Sequence, residues 1–218
     1  MSVTNLIILG GGGHALGVAE AATLLGMMPI GFFDDSPAAP LASGPGALDR
    51  LGTFADLEAV LSAGAPSRAA CIIAIGHAAT RRTLITRLRA LGKPAATIVH
   101  PSAVISISAR LGSGVFVGPR AVIHTRATIA DHAIINTGAI VEHECDVGEN
   151  VHIAPGSILG GRARVEPDVL IGIGARVMLN IQIGAGAVVG CGAVVVKNVA
   201  AGTTVTGVPA QPHPSRPR

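Results

Sequence analysis

A six-residue repeat of aliphatic side chains runs through the second half of this 218-residue chain. From Ile105 to Val195, every sixth residue is Ile, Leu or Val, without a break. The residue two positions before each of them is small or β-branched in nearly every case. Sequence repeats of fixed, short period are typical of solenoids, in which each unit packs against its neighbours. The pattern therefore predicts a parallel β-helix.

The repeat also predicts which residues lie next to each other. Three hexads form one triangular coil of 18 residues, so the sixteen hexads give about five coils. Successive coils stack at the usual strand spacing of roughly 4.8 Å. The aliphatic residues then point into the prism and the small residues fit its crowded corners. Residues 18 positions apart lie above one another.

The first half of the chain carries a different pattern. A short apolar run leads into four consecutive glycines, and a helical pattern, a second apolar run and the pair Asp34 and Asp35 follow. This order is typical of the first unit of a nucleotide-binding α/β fold, in which the glycines admit a phosphate to a helix N-terminus. A glycine turn that only lets strand and helix pack closely is the alternative. The predicted elements are helices at 16–25, 54–61 and 81–91 and strands at 5–9, 29–33, 70–75 and 97–99.

These patterns divide the chain into three predicted regions. Residues 1–99 form a Rossmann-like α/β domain that binds a nucleotide, and residues 100–199 form a left-handed parallel β-helix. The pair His100 and Pro101 marks the boundary between them. Residues 200–218 supply a closing strand and turn, followed by a disordered tail from Gln211 onwards.

Composition argues against several classes of function. Charged residues make up 13% of the chain, the net charge is +3, and no run of Lys or Arg is interleaved with aromatics, so nucleic-acid binding is not expected. The three widely spaced cysteines favour neither a disulfide framework nor a zinc knuckle. Apolar runs stay below the ~18 residues of a membrane span, so we expect no membrane insertion and a cytoplasmic protein.

His143 is the candidate catalytic residue of the predicted β-helix. It lies outside both inward-facing positions of its hexad, and 18 residues further on is Gly161. A glycine stacked on a histidine leaves open space and an accessible backbone N–H, which gives acyl transfer a base and an oxyanion donor. Glu144 or Glu142 then holds the imidazole in the tautomer that accepts a proton. Cys145 occupies the small inward position, so we expect a buried hydrophobe and no acyl-enzyme.

The other histidines of the β-helix carry weaker signals. His124 and His132 lie outside the acid-rich stretch, and we expect them on the surface. His152 is half a coil from His143, and its role is open between substrate contact and surface. A zinc site shared between subunits is the alternative, but spacings of 8, 11 and 9 residues do not stack the histidines on one edge. We therefore expect no metal.

Motifs along nearly the whole chain resemble one bacterial family. They are G-G-G-H-A at 11–15, F-D-D at 33–35, A-I-G at 74–76, H-P-S-A at 100–103, I-N-T at 135–137, E-H-E-C at 142–145 and G-V-P-A at 207–210. The chain is similar to the hexapeptide-repeat sugar acetyltransferases of the sialic-acid O-acetyltransferase type, which include N-acetyltransferases of nucleotide-linked 4-amino sugars. The E-H-E-C motif within unbroken hexads is the most specific of these features.

The resemblance implies a homotrimer with active sites between adjacent β-helices. It implies that His143 is the general base, that Glu144 orients it, and that Gly161 donates its N–H to the thioester carbonyl. It also implies that Asn136 and His152 line the acceptor site.

The same resemblance assigns the two substrates to different regions. The nucleotide of the sugar would be held by residues of the first domain, namely Gly13, His14, Asp34, Asp35, Gly76 and His77. The co-substrate acetyl-CoA would lie along the later coils, near Ile173 and Lys197. Gln211 departs from the pattern, because many relatives have Lys or Arg there for a coenzyme A phosphate; Arg216 or Arg218 is the expected substitute.

Together these observations predict an acetyl-CoA-dependent N-acetyltransferase that acts on a nucleotide-linked 4-amino-4,6-dideoxy sugar in bacterial glycan biosynthesis. O-acetylation of sialic acid is the closest alternative, although a free sugar needs no phosphate cradle. A non-enzymatic nucleotide-binding trimer and an NAD-linked oxidoreductase are the others, although the first domain is too short to add a catalytic domain for hydride transfer. The pair Asp34 and Asp35 leans towards a uridine carrier, with guanosine and thymidine carriers open.

Overall fold

The computed structural model describes residues 4–62 and 69–213 of the chain. The chain divides into two compact units, Met1–Pro101 and Ser102–Arg218, two residues after the boundary expected from sequence. Within the described ranges, no helix combines the length and the apolar character needed to cross a membrane.

The first unit is a parallel sheet with helices in its connections. Its elements are β1 (Asn5–Leu9), α1 (Gly13–Leu24), β2 (Met28–Phe33), β3 (Arg50–Gly52), α2 (Leu57–Ser62), β4 (Ala70–Ile73), α3 (Ala78–Ala90) and β5 (Ile98–Val99), with short 3₁₀ helices at Pro40–Ala42 and Phe54–Asp56. Four of the strands form the sheet in the order β3-β2-β1-β4, all parallel. The residues of β1 from Leu6 to Leu9 are buried, as expected for a parallel strand covered on both faces.

This unit differs from the predicted elements at several places. The helix predicted at 54–61 is a 3₁₀ turn followed by α2, and β4 ends at Ile73, two residues before its predicted end. Helix α1 begins at Gly13 and α3 begins at Ala78, each three residues before the predicted start. The first turn of α1 therefore includes Gly13 and His14, and the first turn of α3 directly follows His77. Strand β3 was not predicted, because three half-buried residues at a sheet edge leave no apolar periodicity to detect.

The second unit contains the predicted β-helix. Its sixteen two-residue strands are β6 (Val104–Ile105), β7 (Arg110–Leu111), β8 (Phe116–Val117), β9 (Val122–Ile123), β10 (Thr128–Ile129), β11 (Ile134–Ile135), β12 (Ile140–Val141), β13 (Asp146–Val147), β14 (His152–Ile153), β15 (Ile158–Leu159), β16 (Arg164–Val165), β17 (Leu170–Ile171), β18 (Arg176–Val177), β19 (Gln182–Ile183), β20 (Val188–Val189) and β21 (Val194–Val195). Each strand ends on an aliphatic residue of the repeat.

The strands of the second unit form three parallel faces. One face carries β6, β9, β12, β15, β18 and β21, a second carries β7, β10, β13, β16 and β19, and the third carries β8, β11, β14, β17 and β20. Val141 pairs with Leu159 and Val147 with Val165, which confirms the 18-residue stacking rule. All aliphatic residues of the repeat from Val117 to Val195 are buried.

The end of the chain departs from the prediction of a disordered tail. β22 (Thr204–Thr206) stacks on β20, with Val205 opposite Val189. β23 (Gln211–Pro212) then returns antiparallel to β22, so the prediction was wrong at Gln211. Periodicity gave no signal here, because β23 is short and exposed. Residues 214–218, which include Arg216 and Arg218, lie outside the described residues.

We expect Ile153→Ala to lower the free energy of unfolding by about 2–5 kcal/mol, because Ile153 is fully buried in the prism and its truncation leaves a cavity. Ile107→Ala is the control, since Ile107 is fully exposed and its loss should change that free energy by at most about 0.5 kcal/mol. Unfolding in guanidinium chloride, followed by circular dichroism, measures both. Equal losses would contradict the interior position of Ile153.

Candidate active site

His143 lies in the turn that follows β12, at one corner of the β-helix. Its backbone N–H donates to Glu142 Oε2 at 3.2 Å, and its Nδ1 lies 3.3 Å from Glu144 Oε2. A carboxylate on Nδ1 favours the tautomer with its proton there, which leaves the Nε2 lone pair free to accept a proton. Of the two acids expected to orient the imidazole, Glu144 therefore contacts the ring and Glu142 the backbone.

Gly161 stacks on His143 in the next coil. The two corner turns are tied together, because the Arg162 N–H donates to the His143 carbonyl at 2.9 Å. A Cβ atom at Gly161 would lie 2.5 Å from His143 Nε2. The expectation of open space above the histidine was therefore wrong, since the imidazole itself lies against the glycine. Only a residue without a side chain permits this approach.

The Gly161 N–H has no acceptor among the described residues. At the equivalent position of some other turns, the N–H groups of Thr137, His143 and Ala185 donate to side-chain oxygens. The N–H groups at 125, 173, 179 and 191 have no acceptor among the described residues either, but those residues are exposed. Gly161 is buried. An N–H group without a partner in the protein is free to donate to an acceptor from outside the chain.

Glu144 lies between two arginines of neighbouring coils. Its carboxylate is 3.6 Å from Arg126 Nη1 and 3.9 Å from Arg162 Nη1. These three residues are 18 positions apart and share a left-handed backbone, with φ of 58°, 59° and 59°, so their side chains follow one edge of the prism. Such exposed pairs add little to folding stability. They do restrict where the Glu144 carboxylate can lie.

A cleft of about 460 Å³ opens beside Glu144. It is lined by Glu144, Arg162, Arg164, Asn180, Ile181, Gln182 and Asn198.

Asn136 and His152 are brought together, as a shared acceptor site requires. Asn136 Nδ2 lies 3.2 Å from His152 Nε2, and Ile134 pairs with His152 across β11 and β14. These strands belong to a different face of the prism from β12, which leads into His143.

The remaining histidines and the cysteine have mixed outcomes. His124 is exposed as expected, and its ring meets that of His143 edge-on with centroids 6.4 Å apart. His132 is buried, so its predicted surface position was wrong: the stacking rule places it between Gly114 and the fully buried Asn150 of the neighbouring coils. Burial confirms Cys145 as an interior residue and raises the pKa of its thiol to about 11, which removes it as a nucleophile.

Within the described ranges, no group of three or more His, Cys, Asp or Glu residues is arranged to hold a metal ion.

One edge of the prism continues from His143 through the later coils. Gly161, Leu179 and Lys197 follow at 18-residue intervals, since β12, β15, β18 and β21 stack in register. Leu179 and its neighbour Met178 are about half exposed. Ile173 is exposed as well, but it follows β17 and so lies at a different corner from Lys197.

The four consecutive glycines, the last of which begins α1, fall into two pairs. A Cβ atom at Gly10 would lie 2.7 Å from the Ala74 carbonyl oxygen, and one at Gly11 would lie 2.5 Å from the Phe32 ring. Close packing therefore explains this first pair. A Cβ atom at Gly12 or Gly13 would meet nothing within 4 Å. The second pair leaves room at the N-terminus of α1, where backbone N–H groups bind anions.

The acids predicted to contact the nucleotide also hold the protein backbone. Asp34 accepts hydrogen bonds from the N–H groups of Gly11 at 2.7 Å and Ser36 at 2.8 Å. Asp35 accepts one from the Phe54 N–H at 2.9 Å.

The exposed pair Gly76 and His77 precedes α3, and His77 Nδ1 lies 2.9 Å from Thr80 Oγ1. The guanidinium of Arg81, which is 1% exposed, donates to the carbonyls of Ile75 at 3.0 Å and Gly76 at 2.7 Å. Sequence reasoning missed Arg81 as a support for this turn. The available signal was its place on the apolar stripe of α3, three residues before Leu84.

Comparisons with known proteins extend over the whole chain. The family model of the PglD N-terminal domain matches residues 5–88. PerB from Caulobacter crescentus, solved with CoA and GDP-perosamine, is 35% identical over 97% of this chain and 98% of its own, with a TM-score of 0.87. The acetyltransferase domain of PglB from Neisseria gonorrhoeae is 34% identical over 96% of this chain and 99% of its own, with a TM-score of 0.88. WeeI from Acinetobacter baumannii is 26% identical over 97% of this chain and 100% of its own, with a TM-score of 0.85. A comparison with curated proteins found no match.

The likeness to PerB and PglB shows the family. The chain belongs to the hexapeptide-repeat N-acetyltransferases of nucleotide-linked amino sugars. Its fold is an α/β domain followed by a left-handed parallel β-helix, and it is an acetyltransferase, so the predicted family, fold class and enzyme class are confirmed. The roles of individual residues stay predictions.

We expect Gly161→Ala to lower kcat for acetyl transfer by about 10²-fold, because its methyl group would displace the His143 ring and a misplacement of about 1 Å costs that much. Gly17→Ala is the control, since Gly17 lies in α1 with nothing within 4 Å of its Cβ position. Steady-state kinetics of both variants, with melting curves to verify folding, test the contact. An unimpaired Gly161→Ala enzyme would show that the ring does not need this position.

His14 should make the stability of the chain depend on pH. Burial, and then the charge of Arg81, lower the pKa of His14 to about 4 from 6.5. Between these values the unfolded chain binds a proton that the folded chain does not, so up to about 3 kcal/mol of stability is present above pH 6.5 and lost as the pH falls to 4. We expect His14→Gln to flatten this slope in urea unfolding and His124→Gln, at an exposed site, to keep it. Identical slopes in all proteins would contradict the burial of a neutral His14.

Proposed function

We propose that this protein transfers the acetyl group of acetyl-CoA to the amino group of a nucleotide-linked 4-amino-4,6-dideoxy sugar in bacterial glycan biosynthesis. The corner at His143 carries the proposal, because it combines an imidazole oriented by Glu144 with the unpaired N–H of Gly161. The complexes of PerB with CoA and GDP-perosamine, and of the PglB domain with acetyl coenzyme A, support both substrate classes.

In the proposed mechanism, His143 acts as general base in a direct transfer. The uncharged amine attacks the thioester carbonyl carbon, and His143 Nε2 takes the amine proton as the C–N bond forms. The Gly161 N–H donates to the carbonyl oxygen, which becomes negative in the tetrahedral intermediate. When the C–S bond breaks, the proton on His143 passes to the sulfur, so that coenzyme A leaves as a thiol and the sugar carries an amide. Glu144 keeps the imidazole in the required tautomer throughout.

The edge that contains His143 also suits acetyl-CoA. With the acetyl group at Gly161, the apolar surface of Met178 and Leu179 in the next coil fits the pantetheine chain, and the Lys197 ammonium one coil further fits a phosphate. Ile173 follows a strand of another face, so we assign its contact with coenzyme A to a second copy of the chain in a homotrimer.

The first unit is proposed to hold the nucleotide. Gly12 and Gly13 leave room for the diphosphate at the N-terminus of the 12-residue helix α1, and His14 is neutral there above pH 6.5. Gly76 and His77 are exposed at the end of the neighbouring strand β4, which is where α/β sheets bind ligands. We propose that Asn136 and His152 contact the sugar. We also propose that the protein is located in the cytoplasm.

Thiol release from acetyl-CoA, measured with a chromogenic disulfide, tests the proposal on UDP-, GDP- and dTDP-linked 4-amino-4,6-dideoxy sugars and on free sialic acid. We expect turnover with one of the nucleotide-linked sugars. His143→Ala should lower kcat by at least the ~10²–10⁴ that a positioned base contributes, with the binding of both substrates nearly intact. His124→Ala is the matched control at the adjacent ring and should keep kcat, because His124 Nδ1 pairs with the Thr125 hydroxyl and not with a carboxylate.

Each other outcome rejects part of the proposal. A His143→Ala enzyme with most of its kcat would remove His143 from the base role. Turnover of free sialic acid alone would favour O-acetylation and discard the nucleotide-linked acceptor. Absence of both turnover and acetyl-CoA binding would favour the non-enzymatic trimer.

A further inference from the structure

A buried thiol holds the peptide group that joins Gly160 to Gly161. The Cys145 S–H donates to the Gly160 carbonyl oxygen across the coil boundary, with 3.2 Å between sulfur and oxygen. The Cys145 side chain is 1% exposed and faces the interior of the prism. The same carbonyl accepts the Ala163 N–H at 3.1 Å. Two donors therefore fix the direction of the Gly160 carbonyl.

The direction of this carbonyl decides where the Gly161 N–H points. The two groups belong to one planar peptide unit, in which the C=O and N–H bonds point in opposite directions. A hydrogen bond to the carbonyl also polarises the amide and strengthens its N–H as a donor. Whatever restrains the Gly160 oxygen from inside the prism thus aims the Gly161 N–H towards the outside, where the His143 ring lies.

The chemistry of Cys145 suits this role. Burial raises the pKa of its thiol to about 11, so the sulfur keeps its proton and remains a donor at neutral pH. The same burial keeps the sulfur away from both substrates, and no sulfur chemistry is required of it.

We propose that Cys145 is a positioning residue for acetyl transfer, which aims the Gly161 N–H at the thioester oxygen through the Gly160 carbonyl. The inference rests on the proposed function, in which the Gly161 N–H stabilises the oxyanion.

The repeat contains an internal precedent for this contact. Ser157 occupies the same position of its hexad, and its hydroxyl donates to the Gly172 carbonyl at 2.7 Å, also 15 residues further along the chain. A hydroxyl therefore fits where Cys145 places its thiol. Alanine fits too, since the neighbouring small positions at Ala139 and Ala163 are fully buried. Ser and Ala at position 145 accordingly separate the hydrogen bond from the packing.

We expect Cys145→Ala to lower kcat by about 5–20-fold, less than the ~10²–10³ for a missing oxyanion donor, because the N–H remains but is poorly aimed. Its KM for acetyl-CoA should stay within about twofold and the shape of its pH–rate profile should not change, because the lost interaction belongs to the transition state. Cys145→Ser should restore kcat to within about twofold of the parent enzyme. Ser157→Ala removes an equivalent hydrogen bond at another corner of the prism and should keep kcat; melting curves of all three variants verify folding.

Two results would overturn the inference. The first is a folded Cys145→Ala enzyme with unchanged kcat. The second is a Cys145→Ser enzyme as slow as Cys145→Ala, which would assign the loss to packing. An active, His143-dependent enzyme that is indifferent to Cys145 rejects this inference alone. A parent enzyme without acetyl transfer, or one that retains its rate in His143→Ala, rejects the proposed function and the inference with it.

Discussion

The contact between the His143 ring and the Gly161 backbone depends on the stacking of one coil on the next. Pairing of Val141 with Leu159 sets the spacing of the two strands, and the hydrogen bond from Arg162 to the His143 carbonyl ties the turns that follow them. Because the interior is packed with fully buried aliphatic side chains, this spacing cannot adjust to a larger residue. The imidazole lies against the next turn only where that turn lacks a side chain. The proposed base and N–H donor thus occupy adjacent turns of a rigid scaffold, the arrangement that positioned catalysis requires.

The small inward positions of the repeat pack the corners of the prism, and two of them also donate hydrogen bonds. Most are alanine, which packs without making a directional contact. Cys145 and Ser157 place a donor at the same position, and each reaches a glycine carbonyl 15 residues further on. A single sulfur or oxygen atom at one of these small positions can therefore orient a peptide in the next coil without changing the fold. In our proposal, the buried thiol of the E-H-E-C motif takes part in the site through such a peptide, on the opposite side of the backbone from the histidine.

The β-helix was predictable from sequence because the six-residue repeat of aliphatic residues is itself the pattern of side chains that pack in its interior. The stacking rule also placed Gly161 against His143, although it predicted a gap where the imidazole lies. Features that depend on single contacts were not predictable in this way. Strands β3 and β23 are short edge strands, and a hexad count does not register the burial of His132 between stacked turns. The role of Arg81 was not predicted, because its aliphatic stem follows the apolar stripe of α3 while its guanidinium donates to the carbonyls that follow β4.

The glycine turn shows why sequence alone could not separate packing from binding. Gly10 and Gly11 are required by neighbouring atoms of the protein, whereas Gly12 and Gly13 face open space and are the pair proposed to bind the phosphate. The two acids that follow β2 were likewise predicted to contact the nucleotide but hold the protein backbone. A preference for uridine assumes carboxylates free to meet the base, but Asp34 holds the Gly11 and Ser36 N–H groups and Asp35 holds that of Phe54. Asp34 in particular stabilises the turn through its first glycine pair, and it fixes the backbone that leads to the second pair. The acids therefore give weaker support to a uridine carrier than their sequence position suggested, and selection of the base must depend on other groups around the turn.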